Sequence, residues 1–167
     1  GQGLSVANGM ALASKMDSMG YRVYCILGDG ELDEGQVWEA CMTSVKYSLD
    51  NLCVIVDCNG LQLTGSTYDI KGINSENIEQ KFRSFGFNTI TINGNDVFSI
   101  MNALGVAETV KGKPTAIIAK TIKGKGVSFM EGKEKWHGKA PNDEEYKLAI
   151  DELLAKEKQI DKEMEGE

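Results

Sequence analysis

A chain of 167 residues, 41% hydrophobic and 26% charged, has the length and composition of one globular domain, and no run of about 18 apolar residues offers a membrane span. The formal charge of -7, much of it in the closing stretch "IDELLAKEKQIDKEMEGE", argues against broad contact with nucleic acid or an anionic membrane, so a phosphorylated ligand needs local help. The opening "GQGLSVANG" lacks the charged-then-apolar order of a secretory signal, and Cys25, Cys41, Cys53 and Cys58 form no CxxC pair, which reads as a cytoplasmic protein with neither disulfides nor zinc.

The first predicted element is a helix of small residues in "LSVANGMALASKM", with Leu4, Ala7, Ala11 and Ser14 packed closely. It follows a glycine turn with no initiator methionine or capping sequence, so the start reads as cut and the sheet is expected to lack its first strand. "YRVYCILGDG" then reads as a buried strand. "EGQVWEACMTSVKYSL" follows as a helix with Val37, Trp38, Cys41, Met42 and Val45 on one apolar stripe, and "NLCVIVDCNG" as a second buried strand. Strand, helix and strand with a turn at each carboxyl end make a parallel crossover unit.

Further along, "ENIEQKFRSFGF" predicts a short helix stopped near Gly86, "NTITIN" a strand, "DVFSIMNALGVAETV" a helix opened by Asn95 or Asp96, and "PTAIIAKT" another buried strand. The class is therefore α/β, a mainly parallel sheet flanked by helices, in a single domain over 1–167. "IKGKGVSFMEGKEKWHGKAP" has neither helical nor strand period and is long for a connection. A last helix starts after Asn142, its N-cap, with Glu145 in capping-box position.

Ligands of open parallel sheets bind beyond the carboxyl ends of the strands. Here those ends carry "GDG" and "DCNG", so Asp29 and Asn59 project oxygen ligands toward one crevice, although single Asp and Asn residues there are also ordinary turn formers. "GQGLSVANG" and "GDGELDEG" miss the third glycine of GxGxxG, and "GVSFMEGKE" fails the P-loop pattern, so a dinucleotide or P-loop site is not expected. A carboxylate beside a diphosphate makes chemical sense when a cation lies between them, because magnesium is held by one or two carboxylates together with phosphate oxygens.

"GDG" followed about thirty residues later by "CNG" resembles the diphosphate-binding motif of thiamine-diphosphate enzymes. Together with "GQGLSVANGMALASK", "GDGELDEGQVWEA", "DCNGLQLTG", "GKPTAIIAKTIKGKGVSFME" and "WHGKAPND", it resembles the N-terminal, diphosphate-binding part of transketolase, especially the split, two-subunit form. The resemblance implies Mg2+ held by the Asp29 carboxylate, the Asn59 side-chain oxygen and the Leu61 carbonyl, with Gly28 and Gly30 sparing the room a Cβ would take from the diphosphate. Cys58 departs from the motif, whose first Asn it replaces. Leu63 resembles the residue that packs on the cofactor's rings, with an ordinary core leucine as the other reading. Glu34 and Glu39 match acids of the carboxylate network across the subunit interface, with the other reading for both that acids early in a helix are favoured by its dipole alone; of the two, Glu34 is kept as a site residue. His137, the only histidine, matches the one that reaches the diphosphate and the substrate's reacting end.

The implied function is transfer of a two-carbon ketol unit from a ketose phosphate to an aldose phosphate, with thiamine diphosphate and Mg2+ as cofactors. The glutamate that activates the cofactor's aminopyrimidine belongs to a separate pyrimidine-binding domain or C-terminal subunit, so a homo- or hetero-oligomer is implied and the chain alone is expected to be inactive. Another thiamine-diphosphate enzyme such as 1-deoxyxylulose-5-phosphate synthase, and a non-catalytic cofactor-binding or assembly module, stay open as alternatives.

Overall fold

The computed structural model describes residues 1–72 and 74–165. The chain forms two compact units, Gly1–Thr121 and Ile122–Glu167, each described by itself.

The first unit opens with helix α1 (Gly3–Met16), whose buried side is Leu4, Ala7, Asn8, Ala11 and Ser14. Strand β1 (Val23–Gly28) and a 3-10 turn (Gly30–Asp33) lead into α2 (Gly35–Lys46), then β2 (Leu52–Cys58). A two-stranded hairpin of β3 (Leu61–Gln62) and β4 (Gly65–Ser66) is followed by the short α3 (Thr67–Lys71) and by α4 (Ser75–Phe85). β5 (Asn88–Asn93), α5 (Val97–Thr109) and β6 (Thr115–Lys120) complete the unit.

Four of these strands make one all-parallel sheet in the order β1-β2-β6-β5. The chain crosses the sheet in one direction with α2 and α4 on the same side, then steps back from β5 to β6 with α5 on the other, as right-handed crossovers require. Val23, Cys25 and Leu27 of β1, with Leu52, Val54 and Val56 of β2 and Ala116 and Ile118 of β6, face α1, α2 and α4. Cys53, Ile55, Ile90, Ile92 and Ile117 face Ala103, Leu104 and Ala107 of α5.

Two details depart from the sequence reading. β1 is not buried on both sides: it is an edge strand, α5 packs against the other end of the sheet, and Ile26 is 73% exposed on the uncovered face. The buried stripe of α2 is Val37, Ala40, Cys41 and Ser44 rather than one including Met42, which is 56% exposed, because polar α1 and α2 groups pack directly against one another. Asn8 of α1 donates through Nδ2 to the Ala40 carbonyl at 2.8 Å and accepts from Ser44 Oγ at 2.7 Å.

The predicted stops and caps hold. Gly86 ends α4 with φ +101°, the left-handed region glycine enters freely, and a Cβ there would press on Val45 at 3.2 Å. Asp96, not Asn95, is the N-cap of α5, its carboxylate accepting from Ser99 N at 2.9 Å. In the second unit the aperiodic stretch folds into turns and a 3-10 turn (Glu134–Trp136), and the predicted last helix follows as α6 (Asp143–Glu165). The predicted capping box at its start is formed, with Glu145 N donating to Asn142 Oδ1 at 2.9 Å and Asn142 N to Glu145 Oε2 at 3.0 Å. Among the described residues no helix is long and apolar enough to cross a membrane.

Replacing Asn8 with alanine removes two buried hydrogen bonds between α1 and α2 and leaves the Ser44 hydroxyl and the Ala40 carbonyl only their own 2.9 Å contact. It should lower stability by about 1–3 kcal/mol, read as a drop in the urea midpoint, whereas Met42→Ala should stay within about 0.5 kcal/mol of the parent.

Candidate cofactor-binding site

The site grows from the carboxyl ends of β1 and β2. Their ladder pairs Gly28 with Asp57 and extends one residue further, where the Asp29 N–H donates to the Asp57 carbonyl at 3.1 Å. The chain then curls into the Gly30–Asp33 turn, pinned from below: Leu32 is buried, its carbonyl accepts from Trp38 Nε1 at 3.0 Å, and Trp38 stacks on Phe85. That curl aims the Asp29 side chain across to the next strand end, where Oδ2 accepts from the Gly60 N–H at 2.7 Å.

After β2, Asn59 begins a tight turn. Its Oδ1 accepts from Leu61 N at 3.0 Å and its Nδ2 donates to Asp57 Oδ2 at 3.2 Å. The β3–β4 hairpin then folds back over Gly30. A Cβ on Gly30 would lie 2.7 Å from Gln62 Cβ, so this position needs glycine for the protein's own packing; a Cβ on Gly28 would meet nothing within 4 Å and would project into open space. Leu63 sits at the hairpin tip, 78% exposed, which removes the reading of it as a core leucine.

Ser66 caps α3, accepting from the N–H groups of Tyr68 and Asp69, and α3 delivers Lys71 beneath the loop. Lys71, with its side chain 12% exposed, donates through Nζ to the Asp29 carbonyl and lies 2.8 Å from Asp33 Oδ1. A cavity of about 380 Å³ opens beside these groups, lined by Asp29, Cys58, Asn59, Ser66, Tyr68 and Lys120 among others.

Burial dominates the electrostatics of the cluster. Asp29 is 2% exposed, and burial pushes its carboxyl up from 3.8; the Gly60 and Gly30 amides and the Lys71 ammonium pull it back, while neighbouring Asp57 pushes it further up. The Cys58 thiol is pushed up to about 12, first by burial and then by Asp29 and Asp57.

The structure thus brings Gly28, Asp29, Gly30, Asn59 and Leu61 together, with Leu63 on the same hairpin. Glu34, at the N-cap of α2, is an exposed residue whose carboxylate lies 2.8 Å from the Gly1 nitrogen. His137 belongs to the second unit, directly after the Glu134–Trp136 turn, with an exposed side chain and its N–H donating to the Glu134 carbonyl at 2.8 Å. Sequence reasoning missed two members of the cluster. Asp57 stands in the same "DCNG" as Asn59 and was legible only as a turn former, while Lys71 is 42 residues from Asp29 and carries no motif.

The donor set fits a hard cation. A buried carboxylate, a side-chain amide oxygen and a main-chain carbonyl are all oxygen ligands of the kind magnesium accepts. Among the described residues no group of three or more His, Cys, Asp or Glu side chains is placed to hold a metal ion, so a metal here would draw on Asn59 and the backbone as well.

Fold and cluster together define the class: a parallel α/β domain whose polar residues converge beyond adjacent strand ends, beside a cavity. The chain belongs to the transketolase family, since residues 1–160 match the family model described as transketolase, thiamine diphosphate binding domain. It is 39% identical over 166 residues to one of the subunits of the apulose-4-phosphate transketolase of Phocaeicola vulgatus, a match that covers 99% of this chain and 58% of that protein. It is 44% identical over 153 residues to the 6-deoxy-6-sulfo-D-fructose transketolase subunit SqwG of a Clostridium species, covering 92% and 55%. The crystal structure of transketolase from Campylobacter jejuni superposes with a TM-score of 0.84 at 36% identity, over 92% of this chain and 25% of that one. The chain spans about half the length of the first two of these relatives.

Two variants test the electrostatics. A carboxyl with a raised pKa in the folded state stabilises the fold when protonated and loses that contribution as pH rises through the raised value. Asp29→Asn should therefore equal or exceed the parent in denaturant midpoint at pH 7 without metal, and the difference should vanish below about pH 4. Lys71→Met strips the partner from the carbonyl of buried Asp29 as well as from the exposed Asp33, and should cost about 1–3 kcal/mol in the same measurement, chiefly through the carbonyl.

Proposed function

We propose that this chain is the diphosphate- and Mg2+-holding part of a transketolase that moves a two-carbon ketol unit from a ketose phosphate to an aldose phosphate. The observation that carries the proposal is the 2.7 Å bond from Gly60 N to Asp29 Oδ2, which joins the two strand ends so that a carboxylate and a side-chain amide serve one site. Asp29, Asn59 and the Leu61 carbonyl would hold the cation, Gly28 leaves room for the diphosphate, and the exposed Leu63 would cover the cofactor's rings. Bound thiamine diphosphate supplies a nucleophilic thiazolium carbon and an electron sink for the broken carbon–carbon bond.

His137 would donate to the diphosphate or carry a proton at the substrate's reacting end. Glu34 would join the carboxylate network between paired sites. Relatives that are themselves named as transketolase subunits support a second, pyrimidine-binding chain as partner, without which this one is inactive. The same names support ketol transfer over deoxyxylulose phosphate synthesis. They favour phosphorylated or sulfonated sugars as substrates. In the cytoplasm the four buried thiols would stay reduced.

Calorimetry of thiamine diphosphate with Mg2+ present tests the role of Asp29. Asp29→Ala should weaken binding at least about tenfold, the scale of one lost contact to a charged group, while far-UV circular dichroism stays unchanged. Equal affinity in the folded variant would refute it. The two chains mixed should give ketol transfer from xylulose 5-phosphate to ribose 5-phosphate, and this chain alone none.

A further inference from the structure

We propose that Asp57, backed by Thr121, is a positioning residue that fixes which end of the Asn59 side-chain amide faces the cation. The inference rests on Asn59 being a ligand of that cation.

An asparagine amide offers two chemically opposite ends, an acceptor oxygen and a donor NH2, and a metal ligand must present the oxygen. Nothing in the Asn59 backbone decides between them. Its neighbours do. Asp57 Oδ2 lies 3.2 Å from Nδ2, and an ionised carboxylate accepts only, so the NH2 end has to face it. The Leu61 N–H lies 3.0 Å from Oδ1, and an N–H donates only, so the oxygen has to lie on that side. A rotated amide would set oxygen against carboxylate and NH2 against N–H, two repulsive contacts in place of two attractive ones. The oxygen is left on the side of Leu61, whose carbonyl is the third protein ligand of the proposed set.

Asp57 is itself held. Its backbone is fixed in the middle of the sheet, opposite Gly28 on one side and Ala119 on the other. Its Oδ1 accepts from Thr121 Oγ1, and the Thr121 N–H donates to the Cys58 carbonyl at 3.3 Å. Gly94, which follows β5, makes room for that threonine: a Cβ there would lie 2.6 Å from Thr121 Cγ2 and 2.8 Å from Ala119 Cβ. A chain of contacts therefore runs from the turn after β5, through the end of β6 and the end of β2, to the Asn59 amide. Partners of this kind orient metal ligands without touching the metal, and losing one costs about 10–100-fold in metal affinity.

The test uses Mn2+ as an EPR-visible probe, titrated into the full chain at saturating thiamine diphosphate, with free Mn2+ read from its signal. Asp57→Ala should weaken Mn2+ about 10–100-fold, and Thr121→Val should weaken it less, with Thr121→Ser restoring the parent value. In an Asn59→Ala background, Asp57→Ala should have no further effect, because a positioning residue has nothing left to position. An additive loss in the double variant, or a folded Asp57→Ala with unchanged Mn2+ affinity while Asn59→Ala weakens it, overturns the inference alone. Unchanged affinity in Asn59→Ala overturns the ligand assignment and the inference with it. Should Asp57→Ala fail to fold, the near-isosteric Thr121→Val decides: unchanged affinity overturns the proposal and a loss rescued by serine supports it.

Discussion

The hydrogen bond from the Gly60 amide to the Asp29 carboxylate is the constraint on which the rest of the site depends. A carboxylate taken this far out of water costs free energy unless donors replace the water. Gly60, Gly30 and Lys71 do so in part, and the carboxyl remains harder to ionise than a free one. The parallel pairing of β1 with β2 is what makes the bond possible, because it brings residue 29 and residue 60 to the same edge of the sheet. With that bond in place the Asn59 turn, the hairpin above Gly30 and the cavity beside them have fixed positions.

Several features that look unrelated serve this one loop. Trp38 reaches from α2 to the Leu32 carbonyl and carries Phe82 and Phe85 of α4 against it, so the aromatic core beneath the sheet supports the floor of the Asp29 turn. Lys71 ties α3 to the same turn from the side. Gly30 has no side chain because Gln62 occupies the place where one would go. A loop held from three directions keeps an under-compensated carboxylate in place. Carboxyl groups perturbed by burial in this way cluster at functional sites.

Most of the fold was legible from the sequence because its signals are local. Alternation and apolar runs marked β2, β5 and β6, and Gly86, Asp96 and Asn142 with Glu145 marked helix ends by chemistry that acts within a turn. What failed was what depends on neighbours distant in sequence. An apolar run cannot say that Ile26 lies on the uncovered side of an edge strand. Helical spacing alone could not say that Ser44 and Asn8 would bury a polar contact in place of Met42. In the site, Asp29 and Asn59 carried a recognisable spacing. Lys71 reaches the site only through the short helix after the hairpin, and Asp57 only through a pairing partner, Thr121, 64 residues away.

The most direct test of the central claim is a crystal structure of the chain with thiamine diphosphate and Mn2+, the ion located by its anomalous scattering. The account predicts one manganese beyond the ends of β1 and β2, within about 2.0–2.3 Å of an Asp29 carboxylate oxygen, Asn59 Oδ1 and the Leu61 carbonyl, and bridging the diphosphate. An ion bound elsewhere, or a diphosphate seated here with Asp29 and Asn59 outside the ion's coordination shell, would contradict it.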